Sequence, residues 1–144
     1  MKSKKELEDE YHWWITSIPD NLIVLENILA NDLYQKLDYS IDSLKAIGEY
    51  IVENYTNETL MVDIQIWDAF AAYVGLVYEK NVPTAKWRVE LEDEKNIYFG
   101  IPALRTKSNS NFYPKYEITA MMDRKRKDFL YAITKRHIEL QTLT

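Results

Sequence analysis

Cysteine is absent from this 144-residue sequence. Disulfide scaffolds, thiolate metal sites, cysteine-ligated iron–sulfur clusters and thiol catalysis are therefore excluded. Histidine occurs only twice, as His12 and His137, and we interpret both as ordinary structural or surface residues. The three glycines, Gly48, Gly75 and Gly100, lie too far apart to form a Walker or Rossmann phosphate loop. We therefore predict a protein that is not an enzyme, with no catalytic residue, no cofactor and no metal site.

Long apolar runs are also missing. No stretch approaches the 18 consecutive apolar residues of a membrane-spanning helix, and no apolar segment typical of a secretory signal follows the basic first residues. We therefore expect a cytoplasmic protein. Hydrophobic residues make up 47% of the chain and charged residues 28%, which is typical of a globular protein with a real core. The length predicts a single domain over residues 1–144.

Charge is distributed unevenly along the chain. Residues 1–80 hold 6 Lys and no Arg against 15 Asp and Glu, a net charge of −9, whereas residues 81–144 carry +4. One interpretation is that the two halves neutralise each other in the fold. The other is that the asymmetry marks a nucleic-acid surface or an acidic docking surface.

Apolar residues recur at helical spacing through the first part of the chain. This pattern predicts four helices, at about 4–17, 20–31, 41–55 and 58–80. The fourth is apolar on nearly all sides, which is typical of a helix buried in the centre of a domain.

After Pro83 the period changes to strict alternation over residues 86–92, with Trp87, Val89 and Leu91 on one face. We predict a strand there, a turn at 93–96 and a second strand at 97–101, which together form a hairpin. A loop at 102–113 and a helix from Tyr116 to near the end, with a break near Asp123, would follow. The predicted fold class is α+β: a helical N-terminal part, then a short antiparallel β-sheet packed against the central buried helix and a C-terminal helix.

Two residues of the central helix stand out. Asp68 falls on its apolar side, and a buried carboxylate needs partners, so we predict a structural anchor with Arg105 as the favoured cation. Gly75 costs helix stability relative to alanine, which indicates the close approach of another backbone, that of the hairpin.

Two groups of side chains are candidate binding sites. Trp13 diverges by about 100° from its neighbour Trp14 on a helix, so it either packs on another element or stays exposed. With the acidic residues Glu8 and Asp9 it could form a docking surface for a protein.

The alternative is a nucleic-acid site on the C-terminal helix, formed by the basic run Arg124, Lys125, Arg126 and Lys127. Three tyrosines near it in sequence suggest stacking on bases: Tyr113, Tyr116 and Tyr131.

Three stretches together resemble small uncharacterised bacterial domains, some of which are found among immunity proteins of toxin systems. They are Trp14 with Ile18-Pro19-Asp20 and Leu25, then residues 37–44, then 72–75 with Lys86-Trp87 and 100–102. The resemblance covers about two thirds of the chain, up to about residue 102. Similar sequences often carry Glu after the glycine of the third motif, where this chain has Leu76. The resemblance implies an α+β fold and protein binding, and it supplies no catalytic residue.

These observations predict a non-enzymatic, cytoplasmic, immunity-type protein that neutralises a toxin by direct contact. A basic toxin domain would suit the acidic N-terminal half. The alternative is a nucleic-acid-binding protein that uses residues 124–127. A third hypothesis, an enzyme using Asp68 with a tyrosine, would require Asp68 to face an open pocket.

Overall fold

A computed structural model describes residues 2–143. Over this range the chain is mostly helical with one small antiparallel sheet, which confirms the predicted α+β class. The elements are α1 (Lys4–Thr16), α2 (Ile18–Ile28), α3 (Asn31–Tyr34), α4 (Ser43–Asn54), α5 (Asn57–Val62), α6 (Ile64–Asn81), β1 (Lys86–Arg88), β2 (Ala103–Arg105), β3 (Asn111–Phe112), α7 (Pro114–Arg124) and α8 (Phe129–Thr142). Within residues 2–143, no helix is both long and apolar enough to cross a membrane.

Helix starts follow local capping chemistry. Ser3 and Glu6 form a capping box at the start of α1, in which each side chain accepts a hydrogen bond from the other's backbone N–H. Helix α2 begins at Ile18 rather than at Asp20, because Pro19 fits the first turn of a helix, where its missing N–H is not needed.

The predicted helix 58–80 is two helices, α5 and α6. Asp63 separates them in a non-helical conformation (φ −99°, ψ 77°) and its carboxylate accepts the Ile66 N–H, so it ends one helix and caps the next. The second of the two is central, as predicted. Its residues 69–75 are all buried. Helix α2 packs along α6 on one side and α7 packs on another, while α4 packs against α8.

The sheet has the order β1-β2-β3, and both pairs are antiparallel. The predicted hairpin between 86–92 and 97–101 is wrong, because β1 pairs with β2, which lies in the segment predicted as loop 102–113. The physical cause is local: the Glu90 carboxylate accepts the backbone N–H groups of Glu92 and Asp93, so the chain turns just after the strand. Residues 97–101 contribute only an isolated bridge between Glu90 and Phe99.

The predicted inward face of the first strand is confirmed at Trp87. This residue lies opposite Leu104, which is fully buried. The side chain of Trp87 packs over Gly75 of α6, where an added Cβ would lie 2.3 Å from its Cη2 atom. The close approach predicted at Gly75 therefore exists, but it is made by an indole ring and by Pro114 rather than by the hairpin backbone.

The C-terminal helical region divides as expected near Asp123. Helix α7 ends at Arg124, and Lys125 adopts the left-handed conformation that commonly ends helices (φ 51°). The turn that follows contacts α4, where an added Cβ on Gly48 would lie 2.3 Å from the carbonyl oxygen of Lys127. This close approach explains a glycine inside α4, since any larger residue there would push the turn away.

Candidate functional site

The two adjacent tryptophans of α1 have different environments. Trp14 is half-buried, and its ring packs on Trp87 with 5.5 Å between the ring centroids. Trp13 is 74% exposed. Of the two outcomes that the sequence leaves open, exposure is the one observed. A large aromatic side chain held in water on a helix is a candidate contact residue, because Trp is enriched at the energetic centres of protein interfaces.

Acidic residues surround Trp13 on its own side of α1. Asp9 lies one helical turn before it, and Glu6 lies almost two turns before it, about 20° away around the helix axis at 100° per residue. Both side chains are exposed. We call these three residues, Glu6, Asp9 and Trp13, the Trp13 face. The candidate residue Glu8 is also exposed but lies about 140° from Trp13, close to the opposite side of α1, so it does not join Asp9 and Trp13 in one surface as predicted.

Part of the charge on α1 is already paired. Lys5 Nζ lies 3.2 Å from Asp9 Oδ1, and Lys2 Nζ lies 2.6 Å from Glu10 Oε1. Both ion pairs are solvent-exposed and therefore weak. Their carboxylates can leave the lysines and bind a cation of another molecule instead.

Asp68 has two donors from distant parts of the chain. Its Oδ1 accepts the Trp14 Nε1–H at 2.9 Å and lies 3.0 Å from Lys115 Nζ. The predicted partner Arg105 is wrong, because the register of β2 places that residue opposite exposed Lys86 on the outer face of the sheet. The carboxylate therefore joins α1 and α7 to the central helix. A shallow cavity of about 180 Å³ lies beside it.

We expect Asp68→Ala to lower the free energy of unfolding by about 1–3 kcal/mol, because the Trp14 N–H and the Lys115 ammonium lose their acceptor. The side chains of Asp68 and Lys115 are about one-fifth exposed, which makes the loss smaller than for a fully buried ion pair. Asp68→Asn should cost less, since it retains one acceptor oxygen. Urea unfolding monitored by circular dichroism measures both changes, and equal losses for the two variants would contradict the anchor interpretation.

Arg124 is the last residue of α7, and Lys125, Arg126 and Lys127 lie in the turn before α8, so the run does not form the continuous helix face that was predicted. All four side chains are exposed, and three of them have partners within the protein. Arg126 pairs with Asp128 at 2.7 Å, Lys127 pairs with Glu53 at 2.8 Å, and Arg124 donates to the Ala120 carbonyl. The two carboxylate pairs partly offset the positive charge of this region, whereas Arg124 and Lys125 have no carboxylate partner within residues 2–143.

The tyrosines proposed to stack on bases have partners elsewhere. Tyr113 stacks on Tyr98 with ring centroids 3.7 Å apart, and Tyr116 meets Trp67 edge-on. Tyr131 lies under the Lys45 ammonium. The structure therefore does not bring them together as a stacking surface beside the basic turn.

A buried tyrosine–histidine pair is the feature that sequence reasoning missed. Tyr78 is fully buried, its ring stacks on Phe112, and its hydroxyl lies 2.6 Å from His137 Nδ1. Burial raises the pKa of Tyr78 well above its ordinary value and lowers the pKa of His137. At neutral pH the phenol and the imidazole are therefore both uncharged, and a hydrogen bond joins them. Their separation of 59 residues leaves no local signal of the pairing.

Because the pKa of His137 is lowered in the Tyr78–His137 pair, we predict that the stability of the protein depends on pH. Because the folded-state pKa of His137 is below the ordinary value of 6.5, the unfolded chain binds the proton first as the pH falls through about 6.5. The stabilising contribution of His137 to the folded state is therefore fully present above about pH 6.5. It decreases as the pH falls from there to the lowered pKa of the folded state. His137→Gln should flatten this part of the profile, measured as urea unfolding at a series of pH values.

The stability contribution of Glu117 has the opposite pH dependence, so a variant of this residue is the control for His137→Gln. Burial raises its pKa, so its contribution is present at low pH and is lost as the pH rises through that pKa. Glu117→Gln should leave the His137-dependent loss in place. An unchanged profile in His137→Gln would contradict the assignment.

Residues 2–143 contain no group of three or more His, Asp or Glu side chains arranged to hold a metal ion. Comparison of the chain with protein-family models, with curated proteins and with solved structures finds no match.

Proposed function

We propose that this chain is a non-enzymatic binding protein of the immunity type, which acts in the cytoplasm and neutralises a basic toxin domain by direct contact. The observation that carries the proposal is the exposure of Trp13, 74% of whose surface is open to water, on a helix bearing acidic side chains. The resemblance of the sequence motifs to domains found among immunity proteins supports the same class.

The energetic argument begins with the tryptophan. Burying apolar surface contributes about 25 cal/mol per Å², so an exposed indole is a substantial source of binding energy. Truncation of a central interface Trp typically weakens binding by about 2 kcal/mol or more. Helix α1 has no fully buried residue, and it therefore presents much of its circumference to a partner.

Charge supports a basic partner. Residues 1–80 carry a net charge of −9, and Glu6 and Asp9 flank Trp13 on the same side of α1. Complementary charge steers a basic protein towards this surface, speeds its association and disfavours acidic competitors. The exposed Lys5–Asp9 pair can open to release a carboxylate for a cation of the partner.

The alternative function, nucleic-acid binding by residues 124–127, has less support. Arg126 and Lys127 are paired with carboxylates of this chain, and the stacking tyrosines are engaged elsewhere. Binding of an oligonucleotide through this turn would show the steep loss of affinity with salt that phosphate contacts produce.

Co-expression with the product of the adjacent gene tests the proposed function. The wild-type protein should restore growth to cells that express a toxic neighbour, and Trp13→Ser should restore it poorly. Val62→Ser is the matched control, because Val62 is an apolar residue of α5 with 83% exposure and should rescue fully. A neighbour without toxicity, or no rescue by the wild type, would overturn the proposal.

A further inference from the structure

A second charged surface lies on the sheet. A cleft of about 690 Å³ lies against β1, β2 and the loop that follows β2, and four cationic side chains line it: Lys86, Arg88, Arg105 and Lys107. We call these four residues the basic cleft. None of them belongs to the run at 124–127, and they are separated in sequence by up to 21 residues, so composition alone does not indicate the cluster.

The strand register brings the charges together. Lys86 and Arg105 are direct cross-strand partners, so their side chains leave the sheet on the same face. Like charges placed directly opposite each other destabilise a sheet. Within residues 2–143, Lys86, Arg105 and Lys107 form no ion pair, and only Arg88 has a carboxylate partner, Glu90 at 3.5 Å. In the basic run at 124–127, by contrast, two of the four cations are paired with carboxylates of this chain.

The rims of the cleft are fixed by hydrogen bonds. Thr84 adopts a left-handed conformation (φ 66°), which is unusual for a β-branched residue, and its Oγ1 accepts the Lys107 N–H at 2.9 Å. In the same loop, Asn109 is also left-handed (φ 65°) and donates its N–H to the Thr106 carbonyl. These bonds fix the backbone that carries the cations, while the exposed side chains of Lys86, Arg105 and Lys107 stay free to turn towards a ligand.

We propose that the basic cleft binds the backbone phosphates of a single-stranded nucleic acid. Alternate residues on one face of a strand are about 7 Å apart, so Lys86 and Arg88 can meet successive phosphates of an extended strand. The Arg105 guanidinium offers the planar pair of donors that suits a phosphate. A flexible single strand can adjust its backbone to follow a short positive surface, whereas a rigid duplex cannot.

Binding in this cleft is independent of base sequence. Trp87 also lines the cleft, but its indole is packed on Trp14 and over Gly75, so it is not free to stack on a base. The protein as a whole carries a net charge of −5, which repels a polyanion at low salt beyond the immediate surface of the cleft. The affinity is therefore modest and depends on the local charges.

Fluorescence anisotropy with a labelled oligothymidylate, titrated at about 50 to about 200 mM salt, tests this proposal. We compare the full-length protein with Lys86→Gln/Arg105→Gln. The matched control is Lys125→Gln/Arg126→Gln, which removes the same charge from the exposed basic turn. The cleft variant should bind at least about tenfold more weakly, with a log–log salt dependence shallower by about 1.4, and the control should bind like the wild type.

Stability distinguishes a binding role from a structural one. Loss of the Lys86–Arg105 repulsion should leave the thermal midpoint unchanged or raise it while binding falls. Lys107→Gln, at the rim, is a second variant that should weaken binding in the same direction. Absence of binding at about 50 mM salt, or equal losses in cleft and control variants, would overturn the proposal. Competition by polyglutamate as effective as that by the oligonucleotide would also overturn it, because the site would then recognise an acidic peptide.

Discussion

Replacing Trp87 with alanine is expected to lower the free energy of unfolding by about 3 kcal/mol, the lower end of the range for core aromatic residues, because the ring is half-buried. Its indole joins three parts of the structure: it packs on Trp14 of α1, lies over Gly75 of α6 and faces inward beside Leu104 of β2. Removing the ring would leave a void at the point where the sheet meets the central helix. Urea unfolding measures the loss, and a decrease below about 1 kcal/mol would indicate an outward-facing ring.

A double-mutant cycle with Gly75 provides the control for this contact. Gly75→Ala should destabilise the wild type by about 1–3 kcal/mol, because the new Cβ would overlap the indole of Trp87. In the Trp87→Ala background the same substitution should cost much less, since the ring is gone and alanine favours a helix by about 1 kcal/mol over glycine. Additive effects of the two substitutions would contradict the contact.

The second large effect is expected at Tyr78. Tyr78→Ala should also cost about 3–5 kcal/mol, because the ring is fully buried and stacks on Phe112 at a centroid distance of 4.2 Å. Tyr78→Phe keeps the ring and removes only the hydrogen bond to His137 Nδ1, so it should cost about 1–2 kcal/mol. Urea unfolding of both variants separates packing from hydrogen bonding. Equal losses would show that the stacked ring contributes nothing.

Periodicity was informative for the helices because the apolar stripes of α1, α4 and α6 are long enough to define a face. The same pattern did not reveal the break at Asp63, since the apolar residues continue through it and Met61, Val62 and Ile64 are exposed around it. The signal that could have located the break is the capping residue itself, an Asp followed three positions later by the N–H that it accepts.

Strand pairing was beyond what alternation can determine. Alternation assigned Trp87 to the inward face correctly, but β2 has three residues and β3 has two, which is too short to show any period. The partner of β1 therefore looked like loop. The basic cleft depends on this pairing, so it could not be found from the sequence.

Candidate-site residues divide in the same way. That Trp13 diverges from Trp14 follows from helix geometry, whereas the exposure of Trp13 depends on which elements pack against α1. The burial of Asp68 also follows from its helix face. The identity of the cation that pairs with Asp68 cannot be predicted from that face, because Lys115 and Arg105 are both distant in sequence. Only the register of β2, which turns Arg105 outward, excludes Arg105.

The most direct test of the proposed function is a calorimetric titration of the purified protein with the purified product of the adjacent gene. We expect one-to-one binding that Trp13→Ser weakens by about 30-fold or more, as for the loss of a central interface tryptophan. The control Val62→Ser should retain wild-type affinity, since its exposed side chain lies on α5. Absence of binding by the wild type, or equal weakening by the two variants, would contradict recognition through the Trp13 face.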